Sequence, residues 1–119
     1  MLAEIGFEQK SLGAFAECVS TFDKAIGLKD SAELRTYRGL CKMGMKESDG
    51  AAADFKAAIA ADANAAPPHF YLAGRYAEAG KIKEATGEYE AYLKLAPNGP
   101  LASQAKERIA LLAKGPKKK

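Results

Sequence analysis

The chain repeats itself with a period of 33 to 34 residues, and this period constrains its fold more than any other feature. Three aromatic residues, Phe22, Phe55 and Tyr89, follow one another at intervals of 33 and 34. Small residues repeat at the same intervals in two further columns: Cys18, Ala51 and Ala85, and, further upstream, Gly6, Gly39 and Ala73. Columns that share one register predict equivalent structural units, each stacked on its neighbour.

Each period contains the pattern of two amphipathic helices joined by a turn. In the first period Phe15, Val19, Phe22 and Ile26 recur at intervals of four, three and four, which places them on one helix face. In the second period the first helix runs from Ala32 to about Gly44. The turn at 45–50 holds Ser48 and Asp49, residues that suit the N-cap of the next helix.

The third period has the clearest helix ends. Pro67 and Pro68 begin its first helix, where proline costs least. Gly80 ends that helix in the manner of a C-cap, and the sequence 96–99 stops the second helix. The segment 100–113 then predicts one further helix with an apolar stripe of Leu101, Ala105, Ile109 and Leu112. Its other face carries Gln104, Lys106, Glu107, Arg108 and Lys114, which we interpret as the polar outside of a capping helix.

The sequence therefore predicts an all-α solenoid in one domain over residues 1–114. It consists of three helical hairpins at about 1–31, 32–65 and 66–99, a capping helix at 100–113 and a basic tail at 115–119. The small-residue columns predict close contacts between the two helices of each hairpin, with Gly6 facing Cys18, Gly39 facing Ala51 and Ala73 facing Ala85. The aromatic residue one turn later is expected to pack against the next hairpin.

Charge and composition exclude several function classes. Three of the 18 basic residues are Lys117–Lys119, and the remaining 15 match the 15 acidic residues. A neutral body lacks the basic field of a nucleic-acid-binding surface, so RNA or DNA is an unlikely partner. No apolar run approaches the ~18 residues of a membrane span, so no membrane insertion is expected.

No catalytic or metal-ligating constellation is present in the pattern. Cys18 and Cys41 form no CxxC pair, and we expect both to be free thiols in apolar surroundings. His69 is interpreted as a half-exposed packing residue, and Glu84, Glu88 and Glu90 as a solvated helix face. Neither a GxGxxG motif nor a phosphate-binding loop occurs. We therefore expect no enzyme, no metal and no cofactor.

The repeated columns resemble the tetratricopeptide repeat. In the third unit the residues that match the family pattern are Leu72, Ala73, Tyr76, Gly80, Ala85, Tyr89 and Pro97. In the first they are Ile5, Gly6, Gly13, Cys18, Phe22 and Ala25, and in the second Gly39, Ala51, Phe55 and Ala58. Arg38 and Lys42 depart from the pattern, because apolar residues are commoner at their positions. The alanine-rich hairpins with a trailing helix resemble bacterial members of the family.

The resemblance implies a right-handed superhelix whose concave groove holds a segment of another protein. Groove-facing residues would be Phe7, Lys10, Thr36, Leu40, Met43, Phe70, Gly74 and Ala77. Because this stripe is mostly apolar, we expect it to bind a partner helix or hydrophobic segment rather than to form the carboxylate clamp of some family members. An equally open alternative is that these residues pack on neighbouring helices.

The leading functional hypothesis is a non-enzymatic adaptor or scaffold that binds another protein. The alternative is a self-assembly module that stacks through an uncapped N-terminal face around Leu2, Ile5 and Phe15. No signal-peptide pattern opens the sequence, which predicts a cytoplasmic protein if Met1 is the true start. The sequence opens inside a predicted helix without a capping residue, which is typical of a fragment.

Overall fold

The computed structural model describes residues 14–114, and all regular secondary structure in that range is helical. Its six helices are α1 (Phe15–Leu28), α2 (Ala32–Gly44), α3 (Ser48–Ala61), α4 (Ala66–Glu78), α5 (Ile82–Leu95) and α6 (Ala102–Ala113). The predicted all-α class is confirmed, and the predicted helix ends agree to within a few residues. The predicted helix at the start of the chain, with the turn at Leu12–Gly13, lies outside the described residues.

The chain divides into two compact units, Met1–Ala65 and Ala66–Lys119. In the first unit α1 packs on α2 and α2 packs on α3. In the second unit α4 packs on α5 and α5 packs on α6. The division falls at the predicted boundary between the second and third repeats.

One core cluster of the first unit lies where α1 meets α2. Cys18, Phe22 and Cys41 are fully buried there, and the Phe22 ring lies 5.6 Å from the Tyr37 ring, centroid to centroid. The first aromatic of the repeat thus packs against the following hairpin, as predicted. Val19 and Leu34 complete the cluster.

Cys18 and Cys41 form a disulfide, so the prediction of two free thiols is wrong. Their Cα atoms lie 5.9 Å apart, although 23 positions separate them in the chain. The packing of α1 on α2 brings these two positions together. The repeat pattern aligns residues that are 33 to 34 positions apart. Cys18 and Cys41 are 23 positions apart, so the pattern did not indicate that they would pair.

Gly39 makes a close contact different from the one predicted. A Cβ atom at Gly39 would lie 2.6 Å from a ring carbon of Phe55, so the nearest neighbour of this glycine is the α3 aromatic and not Ala51. Ala51 is itself fully buried. Within the hairpin α2–α3, the absence of a side chain at Gly39 leaves room for the Phe55 ring.

The core of the second unit is rich in alanine and tyrosine. Ala73 of α4 and Ala85 of α5 are both fully buried in it, which agrees with their predicted contact. The other buried members are Phe70, Tyr89, Tyr92, Ala102 and Ala105. Leu101, Ile109 and Leu112 pack against this cluster, so the apolar stripe predicted for the last helix faces the core.

Helices α2 and α4 end in the same backbone motif. After α4, Gly80 has φ +80°, its N–H bonds to the Ala77 carbonyl, and the Lys81 N–H bonds to the Tyr76 carbonyl. This is a Schellman motif, in which glycine avoids the steric cost of left-handed backbone. After α2 the corresponding residue is Lys46, with φ +64°.

The predicted cap at Ser48 and Asp49 is wrong, because α3 already begins at Ser48. The N-cap position belongs to Glu47, whose side chain makes no capping hydrogen bond. A side-chain cap occurs instead at the start of α2, where the Ser31 hydroxyl accepts a hydrogen bond of 3.1 Å from the Leu34 N–H.

No helix within residues 14–114 is long and apolar enough to cross a membrane. The same residues contain no group of three or more His, Cys, Asp or Glu side chains placed to hold a metal ion.

Candidate functional site

An open pocket of about 180 Å³ lies in the second unit. Its lining comes from three helices: Ala77 of α4, Tyr89 of α5, and Arg108, Leu111 and Leu112 of α6. Leu111 is 57% exposed, so much of its apolar side chain faces solvent beside the pocket. The pocket therefore presents an apolar wall to solvent.

Small residues on α4 leave space for this pocket. Ala77 contributes only a methyl group to the lining. One turn earlier, a Cβ atom at Gly74 would lie 3.9 Å from the Tyr89 hydroxyl. Gly74 and Ala77 were both predicted for the groove; the structure places Ala77 in the pocket lining and Gly74 near the hydroxyl of another lining residue.

Arg108 is the charged residue among the five that line the pocket. Its guanidinium lies over the Phe70 ring, 5.5 Å from the ring centroid, within the range of a cation–π contact. The sequence assigned Arg108 to the polar face of the capping helix; the residue is exposed, as that assignment implies, and it also lines the pocket. Polarity alone could not reveal the pocket position, since an arginine stem packs on apolar surface while its head stays in water.

Phe70 is only 6% exposed, so it offers no surface to a partner, contrary to its predicted place in the groove. Its ring packs against Tyr71, Tyr89 and Tyr92, with centroid distances of 5.4 to 5.8 Å. Burial in this cluster raises the pKa of the Tyr71 hydroxyl. The contribution of Phe70 to the pocket is indirect, because it supports the guanidinium of Arg108.

The other predicted groove residues lie in the first unit. Thr36 is 3% exposed and its hydroxyl donates to the Ala32 carbonyl at 2.9 Å, so its predicted exposure in a groove is wrong. Leu40 and Met43 are half-buried on α2. Phe7 and Lys10, together with Gly6, lie outside the described residues.

An ion-pair network in the first unit was not predicted from the sequence. Two guanidinium nitrogens of Arg38 donate to the Asp54 carboxylate at 2.9 and 2.7 Å, and a third donates to Asp23 at 2.8 Å. The Lys42 ammonium lies 3.2 Å from the same Asp54 carboxylate, which is almost completely buried. The hydrogen bond to Asp54 is the main cause that raises the pKa of Arg38. One sequence feature could have indicated this network: Arg38 and Lys42 stand at positions where apolar residues are commoner.

His69 and Glu88 form a contact between α4 and α5. The His69 Nδ1 atom lies 2.6 Å from a carboxylate oxygen of Glu88. The sequence analysis placed Glu88 on a solvated helix face, and this contact shows that the interpretation is wrong for Glu88. His69 lies eight residues before Ala77, about 12 Å along the helix axis, so this pair is remote from the α4 side of the pocket.

No protein-family model and no curated protein sequence matches this chain. Solved structures do match. The first TPR of Spaghetti (RPAP3), bound to the HSP90 peptide SRMEEVD, superposes with a TM-score of 0.88 at 21% identity, over 95% of this chain and 90% of that one. The translocator chaperone SycD of Yersinia enterocolitica gives a TM-score of 0.87 at 18% identity, over 94% and 81%. PcrH of Pseudomonas aeruginosa gives 0.87 at 20% identity, over 94% and 89%.

The chain has a tetratricopeptide-repeat (TPR) fold. The resemblance inferred from the repeat columns is confirmed at the level of the fold. PcrH has also been solved with the chaperone binding region of PopD, and SycD with a peptide of the translocator YopD. Within the TPR-like fold of this chain, the pocket lies between the hairpin α4–α5 and the helix that follows it.

Proposed function

We propose that this chain is a non-enzymatic binding module, an adaptor or scaffold, that holds a segment of another protein in the pocket lined by α4, α5 and α6. The observation that carries the proposal is the exposed apolar wall around Leu111 beside a tightly packed core. A concave site lined mainly by apolar side chains with a polar group at its edge is the usual form of a ligand-binding site.

The similar structures support this proposal through their ligands. Spaghetti, PcrH and SycD have each been solved with a peptide or binding region of another protein. The lining of the pocket is suited to such a ligand, because its one cation and its apolar side chains can contact a side chain but include no nucleophile with an adjacent base. Leu40 and Met43 of the first unit, with Phe7 and Lys10, remain separate predictions for contacts with a partner.

Substitution of Leu111 tests the proposal. Leu111→Glu places a charge on the exposed wall of the pocket, while Leu28→Glu is a matched control at the end of α1, where the side chain is 79% exposed. Both variants should retain the helical circular dichroism of the parent chain, since neither side chain is buried. We expect Leu111→Glu to lose a protein that the parent and the Leu28→Glu control both capture from native lysate, as identified by mass spectrometry. Equal capture by all three chains would contradict the proposal.

A further inference from the structure

We infer that the pocket selects a protein segment in which an aspartate or glutamate lies beside an apolar side chain, with Arg108 as the residue that recognises the carboxylate. This inference rests on the proposed function, because it names the chemistry of the segment that the pocket would hold.

The apolar part of the inference follows from the size and lining of the pocket. A volume of about 180 Å³ is smaller than the roughly 300 Å³ at the lower end of sites that enclose a drug-sized ligand. The pocket therefore suits a side chain that inserts from a bound segment. Ala77, Leu111 and Leu112 offer that side chain aliphatic contacts.

The acidic part follows from the charge at the pocket. The Arg108 residue is exposed, and none of the described residues provides a carboxylate within ion-pair distance of its guanidinium. The Phe70 ring contacts one side of the guanidinium, so the group is held at the pocket while its N–H donors remain able to reach a ligand. A carboxylate matches the fork of N–H donors that arginine presents.

Helix α6, which carries Arg108, has further positively charged residues. From position 102 to 114, α6 and its C-cap carry Lys106, Arg108 and Lys114 against one acid, Glu107. An acidic segment would be attracted to this helix, and a basic one repelled. The complementary partner is therefore an acidic-apolar protein segment.

Short synthetic peptides with a central Leu, Met or Phe test this chemistry on the full chain. Each peptide is made in three versions, with Asp and Glu, with Asn and Gln, or with Lys beside the apolar residue. We expect the acidic version to bind about tenfold more tightly than the amide version by fluorescence anisotropy, the gain typical of one charge-assisted contact. The gain should shrink as salt concentration rises.

Variants at position 108 connect the preference to the arginine. Arg108→Gln should remove the difference between acidic and amide peptides, Arg108→Lys should retain part of it, and Arg108→Glu should favour the Lys version. Lys106→Gln is the control for net charge, since it removes one charge from the same helix at a residue outside the pocket lining; it should reduce the acidic preference far less than Arg108→Gln does. Circular dichroism checks that every variant remains folded.

Each contrary outcome has a distinct meaning. Equal binding of the acidic and amide peptides, or a preference that survives Arg108→Gln, would overturn the inference and leave the proposed function standing if Leu111→Glu still abolishes binding. A preference that depends on a free peptide C-terminus and not on the side-chain acid would also overturn it. Peptide binding that Leu111→Glu leaves unchanged, or no binding of any peptide, would contradict the proposed function itself.

Discussion

Lys46 occupies a backbone conformation that glycine adopts at the equivalent place after α4. A side chain other than glycine in left-handed backbone costs roughly 1–2 kcal/mol, and the greater freedom of glycine in the unfolded chain offsets part of the gain. We expect Lys46→Gly to raise the free energy of unfolding by about 0.5–1 kcal/mol, measured by urea denaturation. Gly80→Ala, the reciprocal change, should lower it. A lower urea midpoint for Lys46→Gly would show that the lysine side chain contributes more than its backbone conformation costs.

Asp54 is the residue on which the ion-pair network of the first unit depends. Its carboxylate is buried and faces both Arg38 and Lys42, so its removal leaves two cations without their shared partner. We expect Asp54→Ala to lower the free energy of unfolding by about 3–5 kcal/mol, as for other broken buried ion pairs. Calorimetry or urea denaturation would measure the change.

Asp23→Ala is the matched control, because Asp23 pairs with the same Arg38 but its side chain is 54% exposed. Its loss should cost less than about 1 kcal/mol. Equal effects of the two substitutions would mean that the burial of Asp54 does not determine the strength of the network.

At the scale of the elements, α4 and α5 each contribute a fully buried alanine to one core cluster. Ala85 is fully buried in the same cluster as Ala73, so a larger side chain has no free volume to enter. We expect Ala85→Leu to lower the free energy of unfolding by about 1–3 kcal/mol. Ala60→Leu, at an exposed position of α3, should change it by less than about 0.5 kcal/mol. A variant Ala85→Leu that melts with the parent would contradict the close approach of these helices.

The sequence predicted these elements well because their main determinant is periodic. Apolar spacing identified the helices α1 to α6, and Gly80 identified the end of α4, since left-handed backbone favours one residue type. The left-handed backbone at Lys46 was not predicted, because a lysine in the sequence does not indicate a positive φ. The cap at Ser48 was misplaced since Ser and Asp are acceptable both at an N-cap and in the first turn.

The candidate site was only partly predictable. Gly74 and Ala77 were predicted for the groove from the register of α4, and Ala77 lines the pocket. Phe70 and Thr36 were misassigned because the spacing of residues along a helix gives a face but not its exposure. Arg108 was missed because its role depends on the position of the Phe70 ring, a contact between residues 38 positions apart.

At the scale of the whole molecule, the pocket belongs entirely to the second unit, since all its lining residues follow Ala66. The charge balance fits a protein partner, as the body of the chain is neutral apart from the three C-terminal lysines. The site therefore depends on packing within α4, α5 and α6.

The most direct test of the central claim is to map by NMR the backbone amide shifts of the labelled chain when a segment of the captured partner is added. Binding in the pocket predicts the largest shift changes at Ala77, Leu111 and Leu112, and their loss in the Leu111→Glu variant. Shift changes confined to α2, around Leu40 and Met43, or unaltered by Leu111→Glu, would contradict the assignment of function to this pocket.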